Sequence, residues 1–107
     1  MIEKSCPTIR IDIFMAGDVA VAKQECRHYC YDVGLCVHVE RATYIYTGGE
    51  EQGFRVGLIN YPRFPATETE LFAKAKCLAD RLLKRLAQHS YSISSPSDTL
   101  WVTRRES

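Results

Sequence analysis

The sequence predicts an α+β sandwich, an antiparallel sheet with two helices on one of its faces. Three observations carry that expectation. A stretch near the N-terminus alternates strictly between apolar and polar residues, and two amphipathic stripes each begin at a capping residue. The elements then run strand, helix, strand, strand, helix, strand, with one short strand more at the end. At 107 residues the chain has material for one core, so a single domain over residues 1–107 is expected.

Thr8 to Met15 places Ile9, Ile11, Ile13 and Met15 on one side and Thr8, Arg10, Asp12 and Phe14 on the other, the pattern of a half-buried strand. Ala16-Gly17 ends it, and Asp18 is a good cap for a helix whose apolar positions, Val19, Ala22, Cys26, Tyr29, Cys30 and Val33, fall three and four apart. Gly34 supplies a left-handed stop. Leu35 to Tyr46 predicts a second strand, with Leu35, Val37 and Val39 inward and Cys36, His38 and Glu40 outward. The phase breaks at Arg41-Ala42, where a bulge is expected. Thr47 to Gly53 predicts a hairpin loop closing on a left-handed Gly53, and Phe54 to Asn60 the third strand.

Two prolines make Asn60 to Pro65 a stiff loop outside any strand or helix interior. Thr67-Glu68-Thr69-Glu70 has the form of a capping box. It opens a second helix with the stripe Leu71, Phe72, Ala75, Leu78, Ala79, Leu82 and Leu86. Tyr91–Ile93 and Leu100–Thr103 predict strands around a turn at Ser94–Asp98.

This order is the split βαβ arrangement of a ferredoxin-like βαββαβ sandwich with an extra C-terminal hairpin strand. Chain direction then sorts the loops. Gly17-Asp18, the glycine hairpin and the end of the second helix are expected at one pole. Gly34, the 60–65 loop, the Thr67 cap and the C-terminal tail are expected at the other. The uncovered sheet face would carry Arg10, Asp12, Phe14, His38, Glu40 and Arg55, and Phe14 among charges suggests a homo-oligomer contact there.

Composition narrows the function. A net charge of +1 gives no general attraction to DNA or to an anionic membrane. No apolar run approaches the roughly 20 residues that cross a bilayer, and the opening MIEKSCPT lacks the apolar stretch of a secretory signal, so a cytoplasmic protein is expected. Five cysteines, an odd and scattered set, predict reduced thiols. Cys26, His28, Cys30, Cys36 and His38 invite a metal reading, but Cys26 and Cys30 fall on the inner helix stripe while Cys36 and His38 point to the far side of the sheet, so no metal and no cofactor are expected. Gly48-Gly49 leads into a strand and not a helix N-terminus, which excludes a phosphate-cradling loop. No nucleophile–base–orienter set has a recognisable spacing, so no catalytic residue is expected and the chain is read as non-enzymatic.

The ligand-binding candidates are Asn60, Tyr61, Arg63 and Phe64. Aromatic rings and an arginine on a proline-stiffened backbone lose little entropy on binding, and such residues dominate binding hot spots. Arginine suits a phosphate or other anion, and a ring suits a base, so a small nucleotide-like or anionic ligand is expected. Two other readings compete. In one, Phe64 plugs the core and the prolines only steer the chain. In the other, this loop or the open sheet face docks a host protein and inhibits it.

Some stretches resemble known families. Gly53-Phe54, with Phe14 on the first strand, resembles RNA-recognition domains and implies single-stranded RNA binding. Ala16-Gly17-Asp18 is similar to the turn of ACT-type regulatory domains, which implies an amino-acid ligand. Acylphosphatase-like enzymes need an arginine loop after the first strand, and Met15-Ala16-Gly17-Asp18 lacks it. The whole chain, above all YTGGEEQGFRVGLINYPRFP from Tyr46 to Pro65, resembles small accessory proteins of tailed bacteriophages. That resemblance implies a non-enzymatic protein in the host cytoplasm that counters a host defence, by sequestering a nucleotide signal or by occluding a defence protein.

Overall fold

The computed structural model describes residues 1–105. Its elements are β1 (Arg10–Ala16), α1 (Val19–Val33), β2 (His38–Tyr46), β3 (Gly49–Ile59), α2 (Glu68–Arg85), β4 (Ser90–Ser94) and β5 (Thr99–Thr103). The strands form one sheet in the order β2-β3-β1-β4-β5, and every neighbouring pair is antiparallel. This is the expected α+β sandwich, compatible with a ferredoxin-like fold carrying one extra strand.

The alternation in β1 fixes the two faces. Ile11, Ile13 and Met15 are buried, and they meet Leu58, Val56 and Phe54 across the β1–β3 register. From the helices, Ala22, Cys26 and Tyr29 of α1 and Leu71, Ala75, Leu78, Ala79 and Leu82 of α2 complete the core. The Tyr29 hydroxyl donates to the Lys74 carbonyl at 3.0 Å, and Arg81 Nε donates to Glu25 Oε1 at 3.0 Å, so the helices are tied by polar bonds above the apolar seam. The helix ends form where the sequence signals them. The Asp18 carboxylate accepts from the Ala20 and Val21 amides, Gly34 adopts φ 69°, and Thr67 and Glu70 close a full capping box.

Three expectations give way. No bulge interrupts β2, whose register runs unbroken from His38↔Gly57 to Tyr46↔Gly49. The hairpin turn is shorter than expected: β3 begins at Gly49, and Gly53 lies inside the strand. A Cβ on Gly53 would stand 2.3 Å from the Met15 carbonyl oxygen and 2.8 Å from the Tyr44 ring, so this glycine serves close approach rather than a turn. The C-terminal tail begins at the hairpin pole and not the opposite one, because β5 runs back along β4 and the Arg104 amide donates to the His89 carbonyl; its last two positions, 106 and 107, lie outside the described residues.

The β2–β3 hairpin also reaches past the end of β1. Ala16 pairs with Gly53, while Thr43 to Tyr46 and Gly49 to Gln52 pair only with one another. That overhanging arm, together with the α2–β4 connection and the tail, shapes the hairpin pole.

Candidate active site

The uncovered face of the sheet divides into an ionic half and an aromatic half. Arg55 sits between two acids: its Nη2 lies 2.8 Å from Glu40 Oε2, and its Nη1 lies 3.5 Å from Asp12 Oδ1. The hydrogen bond to Glu40 raises the Arg55 pKa further. His38 Nε2 lies 3.6 Å from Glu40 Oε1, with its ring resting over Gly57, where a Cβ would clash at 2.1 Å. The Arg55 guanidinium is thus spent on two carboxylates of its own face.

The aromatic half is concave. A cleft of about 600 Å³ is lined by Phe14 of β1, Tyr44 and Tyr46 of β2, Glu51 of β3, Trp101 of β5, and His89 and Arg105 from the chain around the hairpin pole. Register explains the gathering: Phe14 pairs with Ser92, Ser92 with Trp101, and Tyr44 with Glu51, so all point away from the helices. Two glycines let the β2 rings lie down over β3. Tyr44 covers Gly53, and its hydroxyl donates to the Phe54 carbonyl; Tyr46 lies 3.1 to 3.3 Å from where a Gly49 Cβ would be. The Tyr46 hydroxyl donates to Glu51 Oε1 at 3.1 Å. Burial raises the Tyr44 phenol pKa, and the bond to Glu51 raises that of Tyr46, so both hydroxyls keep their protons at neutral pH. Trp101 remains 64% exposed, an apolar surface held out to solvent in a cleft that also holds the Glu51 carboxylate, the His89 imidazole and the Arg105 guanidinium. The cleft has aromatic walls and a few convergent polar groups, and its volume falls inside the roughly 300–1,000 Å³ range usual for small-molecule sites.

The loop Asn60–Pro65 lies at the other pole. Asn60 is 7% exposed and fully engaged: its amide nitrogen donates to the Pro7 carbonyl and its side-chain oxygen accepts from the Ala66 amide, each at 2.8 Å. It ties the N-terminal segment to the loop. Tyr61 and Phe64 face each other at 5.3 Å between ring centroids, and Phe64 is 49% exposed, so it does not plug the core. A hydrogen bond to Cys36, aided by burial, pushes the Tyr61 phenol up to about 12. Arg63 is exposed and joins none of the ion pairs among the described residues. Beside it, Glu68 accepts from the Ser97 hydroxyl at 2.5 Å, and Glu70 completes the helix cap. Arg63 and Phe64 thus stand on an open surface beside Tyr61, while Asn60 faces inward.

Sequence reasoning missed the cleft residues Tyr44, Tyr46, Trp101 and Arg105; of the lining it singled out Phe14 on the open face, and it placed Glu51 on the glycine hairpin and His89 at the end of the second helix, at the same pole. The resemblance to RNA-recognition domains rests on Gly53-Phe54 and Phe14, yet Phe54 is buried under the helices while Phe14 lies on the opposite face. That removes the RNA-recognition arrangement.

No family model matches the chain and no curated protein matches it in sequence, so the resemblance to ACT-type and RNA-recognition domains gains no support there. Two solved structures share its fold. A phage SAM lyase in complex with S-methyl-5′-thioadenosine matches 99% of this chain and 98% of its own, with a TM-score of 0.65 at 16% identity. A phage SAM lyase in the apo state matches 100% and 98%, with a TM-score of 0.62 at 17% identity. The likeness is one of fold, over the whole length, and the protein on the other side of it is an enzyme.

This overturns the expectation of a non-enzymatic protein that only sequesters a ligand. That expectation rested on the missing nucleophile–base–orienter set. Such a set is required where the protein supplies the attacking group, and its absence does not argue against catalysis on a substrate that carries its own.

Proposed function

We propose that the chain is a phage-type enzyme that cleaves S-adenosylmethionine without water, releasing S-methyl-5′-thioadenosine. The observation that carries this reading is the open-face cleft, whose aromatic walls, Glu51 carboxylate and Arg105 guanidinium match the chemistry of this substrate. The fold shared with SAM lyases supplies the direction, and fold alone does not dictate activity. An adenine stacks on an exposed ring such as Trp101. A sulfonium cation is attracted to ring faces and to Glu51. The substrate's own carboxylate suits Arg105 or His89.

The chemistry needs little from the protein. The sulfonium is already a good leaving group. A carboxylate oxygen of the same molecule attacks the γ-carbon, the C–S bond breaks, and its electron pair returns to sulfur. The products are a five-membered lactone and a neutral thioether, and no proton has to be transferred. What the protein contributes is a folded-back substrate conformation and exclusion of water. This accounts for a chain without a nucleophile–base pair. Removing the methyl donor in the host cytoplasm would starve any defence that depends on it, in keeping with the phage-accessory resemblance.

The test is to incubate the purified protein with S-adenosylmethionine in ¹⁸O-labelled water and identify products by mass spectrometry. Expected are S-methyl-5′-thioadenosine and an unlabelled lactone. Unchanged substrate would sink the proposal, and homoserine carrying label with no lactone precursor would make the enzyme a hydrolase instead.

A second placement of the same substrate is favoured by the surface at the loop pole. There Tyr61 and Phe64 offer rings, Arg63 a cation that joins no ion pair among the described residues, and Glu68 with Glu70 carboxylates, the same three chemical elements. Substitutions at the two poles separate the placements.

A further inference from the structure

Within the cleft, Glu51 is distinctive for its setting. It is the acidic side chain of the lining, it is held by the Tyr46 hydroxyl at 3.1 Å, and the Tyr46 ring is itself laid flat over Gly49. A fixed carboxylate beside an aromatic face is a receptor for a compact, weakly hydrated cation. We infer that Glu51 and Tyr46 form the charge-recognition element of the cleft, one that takes up the sulfonium substrate and does not hold its neutral thioether product. This rests on the proposed S-adenosylmethionine reading and assigns a role within it.

The consequence for rate runs against the usual expectation for an active-site acid. Positive charge on sulfur is full in the bound substrate, partial at the transition state and absent in the product. A carboxylate beside it therefore stabilises the ground state more than the transition state. Such an interaction lowers KM and does not raise kcat. Glu51 is thus a specificity-determining residue for capture and release. The acceleration comes from the fold-back of the substrate against the aromatic walls.

The experiment compares Glu51→Gln and Tyr46→Phe with the parent chain. Binding is measured by calorimetry with two uncleavable probes, sinefungin, which carries a protonated amine at the sulfonium position, and S-adenosylhomocysteine, which carries a neutral thioether. Steady-state kinetics with S-adenosylmethionine accompany it. The parent chain should prefer sinefungin about tenfold, as for a partly exposed ion pair with an aromatic neighbour. In Glu51→Gln the preference should vanish and KM should rise about tenfold, with kcat unchanged or higher. Tyr46→Phe, which keeps the ring and frees the carboxylate, should move KM about twofold to threefold. Unchanged thermal midpoints would show that both variants fold. The inference is overturned if the parent binds both probes equally, or if Glu51→Gln lowers kcat at constant KM. In either case persistent cleavage of S-adenosylmethionine leaves the proposed function standing. Absence of cleavage and of binding to either probe would remove both.

Discussion

At the hairpin pole four aromatic side chains from three strands, Phe14, Tyr44, Tyr46 and Trp101, come together around one cleft. At the loop pole two rings, Tyr61 and Phe64, sit three residues apart in sequence and meet through a tight bridge. The first surface is assembled by strand register and the second by local chain stiffness. The difference shows in what each can enclose. The cleft has walls on separate strands and holds volume between them, whereas the loop presents its rings side by side. Its one deeply buried polar residue, Asn60, spends both ends of its amide on holding the chain. A surface built from a single loop is cheap to specify and hard to close; one built across a sheet is the reverse.

The comparison breaks most visibly at Gly53. Its missing side chain lets β1, β3 and the Tyr44 ring approach, and the nearest atoms to an added Cβ are backbone, the Met15 oxygen at 2.3 Å and the Ala16 Cα at 2.8 Å. Gly53→Val should destabilise the chain by about 3 kcal/mol in urea unfolding, the upper part of the range for overpacking, because strands cannot swing aside as a side-chain tip can. Gly57→Ala is the internal control. There the obstacle is the half-exposed His38 ring, which can move, so the loss should be far smaller. Equal costs at the two glycines would mean that the sheet relaxes around Gly53 and that the Tyr44 floor of the cleft is not fixed.

Next in size is a contest between the poles. Trp101→Ala should lower kcat/KM for S-adenosylmethionine about thirtyfold, corresponding to roughly 2 kcal/mol of ring–base stacking, while Arg63→Ala stays within twofold. Both side chains are exposed, so unfolding is not expected to confuse the result. A reversed outcome would move the substrate to Tyr61, Arg63 and Phe64 and leave the cleft for something else.

The two poles were unequally legible in the sequence, for the same physical reason. Helix ends and the proline loop announce themselves because their causes are local: Asp18 and Gly34 bound α1, Thr67 and Glu70 open α2, and Pro62 and Pro65 forbid a strand. The faces of β1 were legible too, since one face is fully buried. Gly53 was misread because a glycine demanded by close approach looks, in sequence, like one demanded by a turn; the difference lies in Met15 and Tyr44, remote along the chain. The bulge expected at Arg41-Ala42 arose from a lost alternation. Just beyond Ala42 the arm extends past β1, and Arg41, Thr43 and Ile45 all stay exposed on its inward side. With the inward face wet, hydrophobic pattern carries no phase. Trp101 could not be joined to Tyr44 and Tyr46 without the strand order.

The smallest expected effect concerns acid. The Thr67 amide donates to Glu70 and holds its carboxyl below the usual carboxylate range, so the folded-state pKa is depressed. Its stabilising contribution is complete above the unfolded value of about 4.3 and is lost as pH falls through the folded one. At Asp80 burial pushes the carboxyl up, but hydrogen bonds from Lys76 and Tyr91 outweigh it and leave the pKa lowered, so the sign is the same. The thermal midpoint should therefore decline below about pH 4, and Glu70→Gln should flatten that decline while barely changing the midpoint at pH 7, because glutamine can still accept from the Thr67 amide. Hydrogen exchange should place the acid loosening in the first turn of α2 and the adjoining loop, and leave the β2–β3 arm untouched. Loosening that began in the arm would show that the cleft and not the loop pole is the weaker end of the molecule, and would reverse the contrast drawn between cross-sheet and single-loop construction.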